Sequence, residues 1–521
     1  MKELVKDGSG GLYNLSIGNI DVDFAASAFD IINASLTPDS AALAALNMAK
    51  KAPDDVFKIA FDTLHIKGIS LADFLHKKDI SLDTIYIRHP VCKVYHEPKP
   101  YNAQQRKQDS TVTIYQKLKK QFNSIAINAI EINNGGLMST TAPGKKNATQ
   151  KLNDVSISLQ KFMFDSSTQF DTKRFFFAKD LQFSSDNYLI KTSDSLYTFK
   201  INNISVNAAR RSLVLSGVAF LPRGNKAEFE KKLKTIGDMF TLRFPKIVFN
   251  EVNWQQLMNN NCFIAGTATI DDAELTDYRD RRLQHSTGFI YDDFPQQLLM
   301  KVTGKLDIQR LNIHNLAVEY EEFSPESMQS GKVHFSRITG TITNVTNMPV
   351  FIQKNHNCMA AVSGLFMQTI AIKASLGFNL SKRSNGGFSA DVKMDSINKE
   401  TINPLATTLG LFDVKSGIVH KGNVHAEGNN FSAKATGTIW YNDLRVTVLK
   451  KDKVNNNLKN KTITSFLANT FVIKKNNPEN GKAVRRADVV LQRDHKHGSF
   501  FNFLWSVVRK SLLKIIMPAK S

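Results

Sequence analysis

A mainly β fold with a few short helices and an amphipathic helix near the carboxyl end is what this sequence predicts, on three observations. Apolar and polar residues alternate with period two in many runs. Clusters of Gly, Asn, Asp, Ser and Pro separate those runs about every 10 to 15 residues, the spacing of hairpins and meanders. No strand–helix–strand rhythm recurs, which argues against a parallel α/β enzyme fold.

The strands follow in order. Ile80 and Leu82 lie on one apolar face and, after a one-residue slip, Ile85 and Ile87 continue it. Ile125, Ile127, Ala129 and Glu131 oppose Ala126, Asn128, Ile130 and Ile132, and Val155, Ile157 and Leu159 alternate with polar neighbours. Residues 213–220 (LVLSGVAF) form a more buried run. Further runs are 263–270, 298–313, 333–345, 370–380, 388–394, 418–426 and 431–448. Turns are expected at Asn133-Asn134-Gly135-Gly136, Pro222-Arg223-Gly224-Asn225, Ser384-Asn385-Gly386-Gly387 and Glu427-Gly428-Asn429-Asn430. Residues 306–313 echo 61–68 and 124–131 in pattern, which suits repeated β units.

Helices are expected at 39–52, where Thr37-Pro38-Asp39 supplies the cap, and at 113–122, 226–239, 398–411, 462–472 and 499–517.

The chain of 521 residues is 42% hydrophobic and carries a formal charge of +21, so it can pack an interior and is drawn to acidic partners. Residues 433–521 hold 18 Lys and Arg against 5 Asp and Glu, which is +13 on a sixth of the chain. A solvated tail, an anionic membrane surface and nucleic acid all fit that charge. No helix-turn-helix, zinc finger or RNP signature accompanies it, so no nucleic-acid partner is expected. The 35 Phe residues sit in apolar strands, which favours packing over base stacking.

No catalytic motif appears: no H-E-x-x-H, Walker A, G-x-S-x-G or G-x-G-x-x-G opening a helix. No enzyme, cofactor or metal is expected. Cys92, Cys262 and Cys358 are far apart and form no C-x-x-C pair. The acidic run Asp271-Asp272-Ala273-Glu274, followed by Asp277-Tyr278-Arg279-Asp280-Arg281-Arg282, is expected to be a solvated loop with local salt bridges. His495 and His497 offer two imidazoles with no third ligand.

The tail carries the clearest signal. Phe501, Leu504, Trp505, Val508, Leu512 and Ile516 fall on one helical stripe, with Arg509, Lys510 and Lys514 off it. This suits an interfacial helix whose cations meet lipid phosphates, and equally a helix that closes the β body. No run of about 18 apolar residues exists, and the polar start shows no signal peptide.

Two regions resemble the AsmA-like superfamily of Gram-negative envelope proteins, in its Bacteroidetes type. The first combines residues 17–23 (IGNIDVD), 31–39 (IINASLTPD), 61–69 and 80–90. The second is 405–417 (LATTLGLFDVKSG) with the strands 418–426 and 433–441, and the ending 500–505 (FFNFLW) also fits. The resemblance implies an elongated, curved antiparallel sheet forming a repeating β-groove. It divides the chain into an amino-terminal unit at 1–105, a central groove at 106–395, a carboxyl-terminal unit at 396–460 and a basic tail at 461–521. It implies a periplasmic body held in the inner membrane by an amino-terminal helix that this chain lacks. If Met1 is the true start, the location would be cytoplasmic.

The function implied is bridge-like phospholipid transport or outer-membrane homeostasis. The partners implied are phospholipid, a membrane surface and other envelope proteins. The alternative is a non-catalytic structural or assembly scaffold. About 20 stacked strands would give a groove roughly 100 Å long. Each sheltered acyl methylene gains ~0.8 kcal/mol, which is why such a conduit requires no catalytic residue.

Overall fold

The computed structural model describes residues 2–69, 78–103, 119, 122–141, 149–168, 171, 174–175, 177–192, 194–233, 237–282, 293–325, 328–382, 385–410, 412–451, 458–460, 474–493 and 499–517. The protein is mainly β, with short helices and one longer helix near the carboxyl end. It divides into two compact units, Met1–Ala219 with Asn250–Gln255, and Phe220–Phe249 with Gln256–Ser521.

The first unit opens with α1 (Lys2–Gly8), β1 (Tyr13–Ser16), β2 (Asn19–Asp23), β3 (Ala28–Pro38) and α2 (Ser40–Met48). Its remaining strands are β4 (Asp55–Lys67), β5 (Asp79–Arg88), β6 (Val91–His96), β7 (Ser124–Thr141), β8 (Thr149–Phe164), β9 (Asp180–Lys191), β10 (Tyr197–Asn207) and β11 (Ser212–Pro222). Helix α2 begins where the sequence places its cap: the Asp39 carboxylate accepts from the Ala41 and Ala42 N–H groups at 3.0 and 2.9 Å.

The second unit holds α3 (Lys226–Lys232), β12 (Asp238–Asn250), most of α4 (Trp254–Asn260), β13 (Cys262–Asp271), β14 (Glu274–Asp280) and α5 (Pro295–Lys301). Then come β15 (Lys305–Ser324), β16 (Gln329–Thr346), α6 (Pro349–Lys354), β17 (Asn357–Phe366), β18 (Ile370–Asn379) and β19 (Phe388–Met394). It ends with α7 (Lys399–Leu405), β20 (Phe412–Gly428), β21 (Ser432–Lys451), β22 (Leu458–Asn460), β23 (Arg486–Gln492) and α8 (Phe500–Ile516).

The strand-dominated expectation holds, but pairing is mixed. Most ladders are antiparallel, whereas β7 runs parallel to β5 and β6, and β15 runs parallel to β13 and β14. Antiparallel neighbours need only a tight turn; these parallel pairs use the long crossovers 97–123 and 281–304. Pro90 explains the break between β5 and β6. It has no N–H for the ladder, yet both strands keep one register against β4 and against β7.

The one-residue slip read at Ile80–Ile87 belongs to the whole first unit. One extra residue would throw every later side chain to the opposite face of the sheet. Here neighbouring strands slip together. Phe29 and Ile31 join the core before Asn33, and Ala34 after it; Leu82 joins before Asp83, and Ile85 after it; Ile127 joins before Asn128, and Ile130 after it. Left-handed residues mark the slips, with φ of 52° at Asn33, 47° at His89, 54° at Asn134, 50° at Asp154 and 53° at Lys161. Asn133-Asn134-Gly135-Gly136 is therefore no turn; it is a slip inside β7, with the register shifting around Gly135.

The same module recurs in the second unit. His89 and Asp272, Asn134 and Asn315, Asp154 and Arg337, and Lys161 and Asn344 are left-handed pairs separated by 183, 181, 183 and 183 residues. Their hydrogen bonds match: His89 N–H to Asn133 O and Asp272 N–H to His314 O are both 3.0 Å, and Gly136 N–H to Pro90 O (2.7 Å) parallels Ala317 N–H to Ala273 O (2.8 Å).

Other expectations need correction. Residues 298–301 belong to α5, because Pro295 starts a helix there, and the strand begins at Lys305. The helix expected at 226–239 stops at Lys232, and Asp238 already pairs with Arg279 in the β12–β14 ladder. The acidic run 271–282 is largely strand, not loop, since its charges find partners across the sheet. Residues 462–472, 495–497 and most of 113–122 lie outside the described residues.

Candidate functional site

Cross-strand pairing lines up apolar side chains into rows in the first unit. Ile20, Ile31, Leu64, Ile87, Ile132, Ile157, Phe183 and Val206 are successive register partners on eight strands, β2 to β5 and β7 to β10. At ~4.8 Å per strand such a row runs about 34 Å. A second row joins Val22, Phe29, Ile66, Ile85, Ile130, Leu159 and Leu181. Beyond the slip, Leu15, Leu36, Ile59, Cys92, Leu137 and Leu152 form a third.

These rows are unevenly sealed. Phe29 and Ile66 are buried at 1% exposure, but Ile85, Ile87, Ile130, Ile132 and Ile157 are only half-buried, and Leu137 is 38% exposed. Large aliphatic side chains in mid-sheet thus keep apolar surface uncovered by the described chain.

The second unit carries a comparable row with a different composition. Ala268, Leu311, Ile342, Ala360, Leu376, Ala390, Ala426, Ala435 and Val489 are register partners on nine strands. Ala390, Ala426 and Ala435 are buried in one cluster with Phe500, Phe503, Leu504, Val507 and Val508 of α8. Small side chains let the helix come close. At Gly437 a Cβ would collide with the Ser511 hydroxyl and lie 3.1 Å from its Cβ. The helix starts at the Ser499 cap, whose hydroxyl accepts from Asn502 N–H at 3.3 Å.

The sequence stripe on α8 is split by this packing. Leu504 and Val508 are buried against the sheet, Leu512 and Ile516 are half-buried, and Phe501, Trp505 and Arg509 are exposed. The buried face is turned from the expected one, because Phe500, Phe503, Val507, Ser511 and Ile515 complete it. Lys510 and Lys514 reach back to β23: their ammonium groups donate to the Val490 carbonyl at 2.6 Å and the Asp488 carbonyl at 2.9 Å.

A polar cluster lies near one end of β12, β14 and β15. Asp280, Glu321 and Glu322 are buried, and each is paired. Arg282 Nε binds Asp280 at 3.0 Å, Arg281 binds Glu322 at 3.0 Å, Lys226 binds Glu321 at 2.6 Å, and Tyr278 donates to Glu230 at 2.7 Å. Burial alone would raise the Asp280 carboxyl, but the Arg282 guanidinium outweighs it and holds the group below its ordinary value. Burial, with help from Glu230, pushes the Tyr278 phenol up. Paired charges of this kind hold strands together.

Burial pushes the Cys358 thiol up to about 11, which leaves it in the inert thiol form at neutral pH. Among the described residues no group of three His, Cys, Asp or Glu side chains is placed to hold a metal. No helix among them is long and apolar enough to cross a membrane. No family model matches the chain, and no curated protein is significantly similar to it.

Proposed function

We propose that this protein is a non-catalytic, AsmA-like envelope protein that shelters phospholipid acyl chains along the apolar rows of its first unit. The observation that carries this reading is the half-buried aliphatic row through Ile87, Ile132 and Ile157. A row left partly uncovered across mid-sheet costs hydrophobic free energy unless a guest covers it, and each acyl methylene placed there gains ~0.8 kcal/mol. The periplasm is the compartment this role implies, with phospholipid and other envelope proteins as partners. The scaffold reading draws on the second unit, where the chain's own helix covers the Ala row.

Mass spectrometry of lipid extracted from the intact purified protein tests the proposal. The expected result is bound phospholipid near one-to-one or above, with a large reduction in Ile132→Lys of unchanged circular dichroism. Lipid-free protein, or full lipid retention in that variant, would refute it.

A further inference from the structure

We infer that the exposed flank of α8 docks on the surface of an anionic bilayer. At about 100° per residue the helix has three sectors. One is buried against the sheet through Phe503, Val507, Ser511 and Ile515, all at 1% exposure or less. A second carries Lys510 and Lys514, whose ammonium groups are committed to the carbonyls of β23. The third carries Phe501 and Trp505, one turn apart, with Arg509 a turn further on.

Phe501 is 65% exposed and Trp505 45% exposed, although the helix beneath them is firmly seated. The scaffold therefore holds two large aromatics in water at fixed spacing. Trp suits a bilayer interface, where its ring meets lipid and its N–H stays wet. Arg509, a turn further on, adds positive charge to this flank. Charge decides the occupant. Residues 433–521 carry 18 Lys and Arg against 5 Asp and Glu, so this region of a second copy would be repelled and an anionic lipid surface attracted. Docking is shallow, since the opposite helix face already belongs to the sheet.

The inference deepens the lipid reading above by naming a second lipid contact, and it rests on that reading only for its biological purpose. Co-sedimentation of the full chain with phosphatidylcholine vesicles, with and without phosphatidylglycerol, tests it. The wild-type chain should bind the anionic vesicles preferentially and lose binding with added salt. The double variant F501S/W505S should bind at least ~10-fold more weakly, and Arg509→Gln about 5-fold more weakly. F501S/W505S should keep the wild-type melting temperature, and both variants should keep the lipid that co-purifies with the first unit. The inference is overturned if the wild-type chain ignores anionic vesicles, if F501S/W505S binds within about 2-fold of it, or if those two residues mediate self-association instead. Vesicle binding and co-purified lipid are separate readouts, so failure of one proposal leaves the other standing.

Discussion

Two units built on the same slip pattern treat their apolar rows in opposite ways. In the first unit the eight-strand row is Ile, Leu, Phe and Val, and much of it is only half-buried. In the second, the nine-strand row thins to Ala390, Ala426 and Ala435 where α8 lies. Bulk and cover exchange: where side chains are small, a helix fills the space, and where they are large, their outer surface stays available. Backbone topology therefore does not decide whether such a face is open. The side-chain volume along the row does, together with a helix able to reach it.

The strongest way to break the comparison is to remove the helix. Phe503 is fully buried and stacks with Phe294 at 6.3 Å. Phe503→Ala should cost about 3–5 kcal/mol. Denaturant titration would measure it, and proteolysis should release the tail first. A cost under about 1 kcal/mol would mean that α8 is not integral to the second unit.

A narrower test changes only the approach distance. Gly437→Ala pushes a methyl into Ser511 and should cost about 1–3 kcal/mol. Ser511→Gly should recover part of that loss in the double variant, as residues in contact do not add. Additive losses would place the strain elsewhere.

In the first unit the matching truncation should be mild. Ile132 is half-buried, so Ile132→Ala should cost only about 1 kcal/mol, while lowering the lipid that co-purifies. A loss near that of Phe503→Ala would show the row to be sealed, and would erase the contrast.

Much of this was legible in advance. The period-two runs located β19 at Phe388–Met394 to the residue, and Asp39 and Ser499 announced α2 and α8. The slip after Leu82 and the echo between 124–131 and 306–313 were visible too, the echo one residue away from the structural offset of 181. What was hidden is long-range. A Gly-Gly after Asn-Asn has the local chemistry of a turn, and only the partner strands reveal a slip inside β7. The parallel ladders depend on crossovers that carry no strand signal. On α8 the sequence shows a single stripe. Which part of it meets the sheet depends on Gly437 and the Ala row, more than 60 residues earlier in the chain.

The smallest expected effect concerns the polar faces, where the two units agree. His65 sits opposite Asp30 in the first unit, and His314 opposite Asp271 and His425 opposite Asp391 in the second, at 2.9, 2.8 and 2.8 Å. For His425 the hydrogen bond to Asp391, with Glu427 adding to it, raises the imidazole above its ordinary value of 6.5. A raised folded value means that the folded state binds the proton more tightly than the unfolded state does. The pair's stabilisation is complete below about pH 6.5 and disappears as the pH climbs through the raised value. Both side chains are about half exposed, at 49% and 55%, so solvent screening limits the effect to under about 0.5 kcal/mol. Unfolding of His425→Gln should thus match wild type at pH 9 and fall slightly below it at pH 5.5. A deficit that grows with rising pH would mean that the neutral imidazole, not the charged one, is the form the folded sheet prefers.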